Sequence, residues 1–190
     1  MATIRTFVAV ELSSGVRSRA ASLIERLRVA GAKVTWTAPH NMHLTLKFLG
    51  DVPDVDSPGV CQAVDEAVSG VASFEIMCRG AGAFPDTRRP RTLWLGVDSG
   101  LDELVALHAK IDAALAPLGF ARERRRFQPH LTIGRVRESG PKVEELCRLV
   151  EKHADFEADL SVVDEVTVMA SFLERTGPKY EALGRTELRG

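Results

Sequence analysis

No run of apolar residues in this 190-residue chain approaches the ~18–20 needed to span a bilayer. The N-terminal stretch, residues 1–12, lacks a long apolar h-region and runs straight into a strand-like pattern, so no signal peptide is expected. Cysteine is scarce. Cys61, Cys78 and Cys147 are odd in number, far apart and never paired as C-x-x-C, which excludes both a disulfide framework and a zinc spacing. Together these absences point to a cytoplasmic chain that does not engage a membrane. Excess charge of one sign is missing too. With 25 Lys+Arg against 26 Asp+Glu there is no generally basic surface for nucleic acid, although a local basic cleft stays possible. The phosphate loop G-x-x-x-x-G-K-[ST] is absent, and Gly80-Ala81-Gly82-Ala83 lacks the third glycine of a dinucleotide fingerprint. No G-x-S-x-G nucleophile elbow occurs. No cofactor is expected.

What remains is an ordinary globular composition in a chain long enough to bury about 70% of its unfolded surface. The length suits one domain over residues 1–190, with room for two lobes. Ile4 to Leu12 reads as an opening strand. Ser13 or Ser14 then offers an N-cap to a helix with Val16, Ala20, Leu23, Ile24 and Leu27 on one face, ended by Gly31. Further helical stretches start near Pro58, at Leu101 (closed by Gly119) and at Val143. Strand-like runs cover residues 43–49, 74–78, 92–97, 131–136, 162–170 and 180–183, and residues 176–179 form a turn. The mixed order β-α-β-α-β-β-α-β-α-β-β indicates an α+β fold.

One internal echo stands out. Asn41-Met42-His43-Leu44-Thr45-Leu46 resembles Gln128-Pro129-His130-Leu131-Thr132-Ile133, and each stretch leads from a polar, proline-containing segment into an apolar strand. On a strand, residues i and i+2 share a face about 6.6–6.8 Å apart. His43 and Thr45 therefore point one way and Leu44 and Leu46 the other, and the second copy repeats this. If the two halves face each other, the cleft between them receives two imidazoles and two hydroxyls. That set suits phosphodiester cleavage without a metal. One neutral imidazole takes a proton from the nucleophile and one imidazolium protonates the leaving oxygen, work for which an unperturbed pKa of ~6.5 is well placed. Thr45 and Thr132 can donate to the non-bridging oxygens. A phosphate gripped from both sides requires ring nitrogens ~5–7 Å apart, about twice a hydrogen-bond length.

The paired motifs resemble the two H-h-T-h signatures (h, apolar) of the two-histidine, or 2H, phosphoesterases, and more narrowly the RNA 2′,3′-cyclic phosphodiesterases long called 2′-5′ RNA ligases. The similarity extends over nearly the whole chain: residues 5–10, 47–50, 82–85, 91–97, 127–135, and a closing Ser171 followed by residues 177–180. It implies a bilobal fold, two pseudo-symmetric antiparallel-sheet-plus-helix lobes around a central cleft. It also implies metal-free hydrolysis of RNA 2′,3′-cyclic phosphate ends, or small cyclic nucleotides, to 2′-phosphomonoesters. Ligation to a 2′-5′ linkage would be the nucleotide-independent reverse. By the same resemblance His43 is the acid, His130 the base, and Arg135 a phosphate contact. A regular strand would put Arg135 on the face opposite His130, so a bulge or twist is expected at Gly134.

Blander readings compete elsewhere. His40 and His43 form a His-x-x-His pair, but no carboxylate or cysteine completes a metal set. His108 reads as a satisfied packing residue and His153 as a helix-closing cation. Trp36 and Trp94 are assigned to packing. Arg88, Arg89 and Arg91, then Arg122, Arg124, Arg125 and Arg126, concentrate positive charge. The second group, four residues before His130, is read as an RNA-binding rim led by Arg124, Arg125 and Arg126. Phe84 and Phe172 are candidates for stacking on bases. A nucleotide- or RNA-binding module without turnover is the alternative function, and a metal hydrolase on His40 and His43 a third. Nothing in the sequence demands more than a monomer.

Overall fold

The structure, a computed structural model, describes residues 2–175 and 177–190. Its elements follow in order: β1 (Thr3–Glu11), α1 (Ser14–Arg28), β2 (Val34–Trp36), β3 (His43–Pro53), α2 (Ser57–Val68), β4 (Phe74–Phe84), β5 (Thr92–Val97), α3 (Leu101–Leu115), β6 (His130–Val136), α4 (Pro141–Lys152), β7 (Glu157–Val163), β8 (Glu165–Glu174) and β9 (Gly177–Glu187). Single 3₁₀ turns occupy Pro39–Asn41, Asp54–Asp56 and Ala116–Leu118. Of the two serines offered as caps for α1, Ser13 serves: its Oγ accepts the Val16 N–H at 3.2 Å, satisfying a donor the helix cannot. The predicted stripe from Val16 to Leu27 is buried, and Gly31 and Gly119 take positive φ just past α1 and α3.

The strands form one antiparallel sheet in the order β7-β4-β5-β6-β3-β1-β8-β9, with β2 also on β6. The sheet has two halves that meet where Leu44 of β3 pairs with Leu131 of β6. Outward from that seam run β3-β1-β8-β9 on one side and β6-β5-β4-β7 on the other. Two of the helices are exchanged between halves. α1 follows β1 yet packs on β7 with α4 beside it, while α3 follows β5 yet packs on β3 with α2. Each half thus supplies part of the other's core, and the apolar cluster runs unbroken through Val8, Leu23, Leu44, Leu107, Leu131 and Leu146.

All four helices feed that one core, so among the described residues no α-helix covers the opposite face of the sheet. It carries the residues that alternate with the core positions: Phe7 and Ala9 on β1, Met169 on β8, and Tyr180 on β9, a small apolar cluster of its own. This explains why Phe7, Val8, Ala9 and Val10 are all buried: even positions face the helices and odd ones the second cluster.

Four features depart from the sequence reading. The predicted strand over 162–170 is the junction of two strands: β7 pairs with β4 in one half and β8 with β1 in the other, and the chain changes halves at Asp164. Leu160 and Val162 mask this boundary, being apolar yet about half exposed. β2 has no counterpart among the predicted strands, and β9 extends well beyond residues 180–183. Of the predicted turn over 176–179, Thr176 lies outside the described residues, while Gly177–Lys179 begin β9 and pair with β8.

Candidate active site

The pairing of Leu44 with Leu131 fixes the site. Both leucines are fully buried on the helix side, so His43, Thr45, His130 and Thr132 all project from the uncovered face. In this register His43 stands across from Thr132 and His130 across from Thr45, and the two histidines are diagonal neighbours, about 7–8 Å apart at the backbone. All four side chains are partly exposed, so both motifs open on one solvent-facing surface.

The two histidines have the same local setting. His43 Nδ1 donates to the Asn41 carbonyl at 2.8 Å, and His130 Nδ1 donates to the Gln128 carbonyl at 2.7 Å. A carbonyl can only accept, so each neutral ring carries its proton on Nδ1 and leaves the Nε2 lone pair available. Neither Nε2 has a hydrogen-bond partner among the described residues.

Their surroundings then diverge. The Phe7 ring stacks on His43 with centroids 4.8 Å apart and planes 26° apart, and Tyr180 meets the same imidazole edge-on at 5.2 Å. Tyr180 reaches this position because the β8–β9 hairpin curls back towards β3, where Asn41 Nδ2 donates to the Pro178 carbonyl at 2.8 Å. His130 is met edge-on by Phe84 at 4.9 Å, and Phe84 in turn rests against Trp94 at 5.1 Å. Trp94 lies so closely over Gly82 that a Cβ there would come 2.3 Å from the indole, so only glycine fits. Trp94 is therefore a packing residue as expected, but on the site's face: it pairs with Thr132.

Burial lowers the His43 pKa below the ordinary histidine value, against the hydrogen bond to Asn41 and the negative charge of Glu11, which raise it. Burial also lowers that of His130, against the bond to Gln128, while the positive charge of Arg135 pushes it further down. The carboxylate lies beside one imidazole and the guanidinium beside the other.

Arg135 reaches the site through a bulge. On the β5–β6 ladder Trp94 pairs with Thr132 and Leu93 with Gly134, so Ile133 has no partner. The irregularity adjoins Gly134, where the sequence calls for it, and brings Arg135, paired with Thr92, onto the face of His130. Gly134 is required in its own right, because a Cβ would stand 2.8 Å from Val34 and 2.9 Å from the Trp36 ring. A second bulge has no signal in the sequence. On the β1–β3 ladder Thr45 pairs with Ala9 and Lys47 with Val8, skipping Leu46, and this turns Lys47 into the core.

There Lys47 Nζ meets Asp112 Oδ1 of α3 at 2.5 Å and the Ala121 carbonyl at 2.9 Å. Asp112 also receives the Glu123 N–H and Arg122 Nε. Burial pushes the Asp112 carboxyl up, but Lys47 and these donors outweigh it and hold the group below its usual value. Arg122 is accordingly an anchor rather than part of the free basic rim. Arg124, Arg125 and Arg126 are exposed in the loop leading to β6.

His108 is a correction. It is buried and stacks flat on Phe127 at 4.1 Å, but among the described residues its Nε2 has no hydrogen bond and stands 3.5 Å from the Glu123 carboxylate, so it is not satisfied there. His153 does close α4, its Nδ1 on the Leu149 carbonyl. His40 is exposed on the turn before β3, and no cluster of three metal-ligating side chains occurs among the described residues. All three cysteines are free, with the buried Cys78 thiol pushed up to about 12.

A cavity of about 330 Å³ opens beside Glu11, Asp164, Glu165 and Glu187, with neither histidine in its lining, and with Glu11 and Glu165 ion-paired to Arg185 and Glu187 to Arg189. The smaller hollow next to His43, about 80 Å³ and edged by Asn41, Tyr180, Arg17 and Arg185, belongs to the uncovered face.

The sequence pattern of the 2′-5′ RNA ligase superfamily matches residues 16–171, a stretch that contains both motifs. This chain belongs to that superfamily. It is 35% identical over 187 residues to a Thermotoga maritima protein named RNA 2′,3′-cyclic phosphodiesterase, covering 98% of this chain and 97% of that one. A Methanothermobacter thermautotrophicus protein of the same name is 36% identical over 178 residues, or 93% and 95% of the two chains. Among solved structures, the Thermus thermophilus protein TT0787 superposes with a TM-score of 0.83 at 24% identity, covering 98% of this chain and 99% of that one. E. coli LigT complexed with 3′-AMP gives 0.77 at 24% identity over the full length of both. Both solved structures thus share this fold over nearly their whole length.

Sequence reasoning missed Phe7, Tyr180 and Glu11 as neighbours of His43. Phe7 and Glu11 could have been placed by period-2 alternation on β1 once its pairing with β3 was known; Tyr180 depends on the curl of the sheet.

Proposed function

We propose that this chain is an RNA 2′,3′-cyclic phosphodiesterase that opens the terminal cyclic phosphate to a 2′-phosphomonoester by two-histidine acid–base catalysis. The observation that carries this reading is the duplicated setting of His43 and His130, each with Nδ1 committed to a carbonyl and Nε2 available on one shared face.

In the forward direction a water attacks phosphorus and gives its proton to His130 Nε2. The P–O3′ bond breaks, and O3′ takes a proton from His43 Nε2, leaving phosphate on O2′. The roles follow from the neighbours. Glu11 favours the imidazolium of His43, and Arg135 favours neutral His130, so the two environments push the pair towards acid and base respectively. Negative charge that accumulates on the non-bridging oxygens is met by the Thr45 and Thr132 hydroxyls and by Arg135. A 5′-hydroxyl entering in place of water yields a 2′-5′ linkage by the same proton transfers, with no nucleotide consumed. RNA lies against Phe84 and the exposed arginines 124–126, whose charge is attracted to phosphates. The names of the relatives that share 35–36% of the sequence support this substrate class.

The test is incubation of the chain with a short RNA ending in 2′,3′-cyclic phosphate, in EDTA, with products resolved by phosphorus NMR. A 2′-phosphomonoester alone is expected. Binding without turnover, a 3′-phosphate product, or loss of activity on chelation each contradicts the proposal.

A further inference from the structure

Beyond the reacting phosphate, the same uncovered face carries a polar row with no role so far. In the β1–β8–β9 register Arg5 pairs with Ser171, and Ser171 with Tyr180, so the three residues form a row across three strands on one face, with the Tyr180 ring reaching towards Phe7 and His43. They share the face of Phe7, two residues along β1 from Arg5, and hence lie one step of roughly 6.7 Å from the ring that stacks on His43. Arg5 is exposed and forms no ion pair among the described residues, although Asp51 stands opposite it on β3. The Tyr180 ring packs on Phe7 and His43, yet its hydroxyl has no partner among the described residues. Across the cleft, Arg135 is equally free of carboxylate partners among the described residues.

We infer that Arg5, Ser171 and Tyr180 form a second anion subsite that takes the 5′-phosphate of the terminal nucleotide, the internucleotide phosphodiester linking the cyclic end to the rest of the RNA. The inference rests on the proposed function, because it assumes that the reacting phosphate sits between His43 and His130. The chemistry fits a phosphodiester: one guanidinium able to bond two oxygens at once, with two hydroxyl donors on the next two strands. Burial raises the Tyr180 hydroxyl pKa while Arg135 and Arg5 pull it down, so both cations act on this hydroxyl, one from each half of the sheet. The phosphate next to the reacting one is thereby led from the Arg135 side past Tyr180 to Arg5, along the β1–β8–β9 wall. It also gives the enzyme a way to favour RNA ends over free nucleoside cyclic phosphates, since only the former bring a 5′-phosphate.

Calorimetric titration of the full chain with adenosine 2′,5′-bisphosphate and with adenosine 2′-monophosphate tests it. The bisphosphate should bind about tenfold more tightly, the ordinary effect of one charge-assisted phosphate contact. Arg5→Gln should cut that ratio to within about twofold, with monophosphate affinity unchanged, and Arg5→Lys should keep most of it. An equal affinity of the wild-type chain for the two compounds, no binding of either, or a ratio untouched in Arg5→Gln overturns the inference. Because binding is read without turnover, a chain that fails to hydrolyse cyclic phosphate but keeps the Arg5-dependent ratio would contradict the proposed function and not this subsite.

Discussion

Glu11 is the direct cross-strand partner of His43, the last pair of the β1–β3 ladder, and its carboxylate raises the pKa of an imidazole that burial lowers. This placement, with Arg135 beside His130, distinguishes two histidines whose backbone settings are alike, and the two charges set the expected pH dependence. The acid must be protonated, so the rate falls as pH rises through the pKa of His43. The base must be neutral, so the rate falls as pH drops through that of His130. Both values lie below the ordinary 6.5 in the free chain, which places the kcat/KM optimum on the acid side of that value. Glu11→Gln removes a charge that raises His43 and should move the alkaline limb to lower pH. Arg135→Gln removes a charge that lowers His130 and should move the acid limb to higher pH. Profiles of kcat/KM for a nucleoside 2′,3′-cyclic phosphate measure both limbs, and an unmoved alkaline limb in Glu11→Gln would show that His43 is not the acid.

Phe7 presses on His43 from β1 at 4.8 Å, holding the ring plane while the Asn41 carbonyl holds Nδ1. Phe7→Ala should free the imidazole to rotate and lower kcat by about 10–100-fold, with a smaller change in KM, since misplacement by ~1 Å carries a cost of that order. Phe7→Leu fills part of the volume without a flat stacking surface and should recover folding more than rate. Equal kcat in all three chains would assign Phe7 to the core alone.

Gly82 plays the matching part under the second histidine. Gly82→Ala drives a methyl into Trp94, which bears on Phe84 and through it on His130. The expected outcome is a loss of activity larger than the loss of stability, with indole fluorescence shifted because Trp94 must move. An unchanged emission spectrum would show that the sheet gives way instead.

The buried Lys47–Asp112 pair joins the strand of His43 to α3 and to the start of the arginine-rich loop. Asp112→Ala leaves Lys47 charged and unpaired in the core and should destabilise the fold by about 3–5 kcal/mol in denaturant unfolding. Lys47→Met with Asp112→Leu should restore much of that loss, because replacing both charges removes the desolvation cost. Asp112 also makes stability depend on pH. The Asp112 carboxyl lies below its unfolded value, so its stabilisation is complete above about pH 4 and fades as pH falls through the lower folded value.

Much of the site could be read from the chain because strand alternation is a local rule. His43 and Thr45, like His130 and Thr132, share a face whatever the rest of the molecule does, and the bulge beside Gly134 followed from asking how Arg135 could join them. The α1 stripe was equally local. What escaped the reading depends on distant pairing. Leu46 and Lys47 are consecutive core residues only because β3 carries one extra residue, Leu46, against β1. Asp164 divides two strands only because β7 and β8 belong to opposite halves of the sheet. Tyr180 becomes a neighbour of His43 through the curl of a hairpin that begins far along the chain. The unmet Nε2 of His108 reflects where Glu123 stops short, a matter of ångströms that composition does not encode.

The most direct test of the central claim is single-turnover hydrolysis of a nucleoside 2′,3′-cyclic phosphate by His43→Ala, His130→Ala and the double variant, all in EDTA. Each single change should slow bond cleavage by at least about 10²–10⁴-fold, and the double variant should be little slower than either, because the two imidazoles act as one unit. Full activity in either single variant would contradict the account.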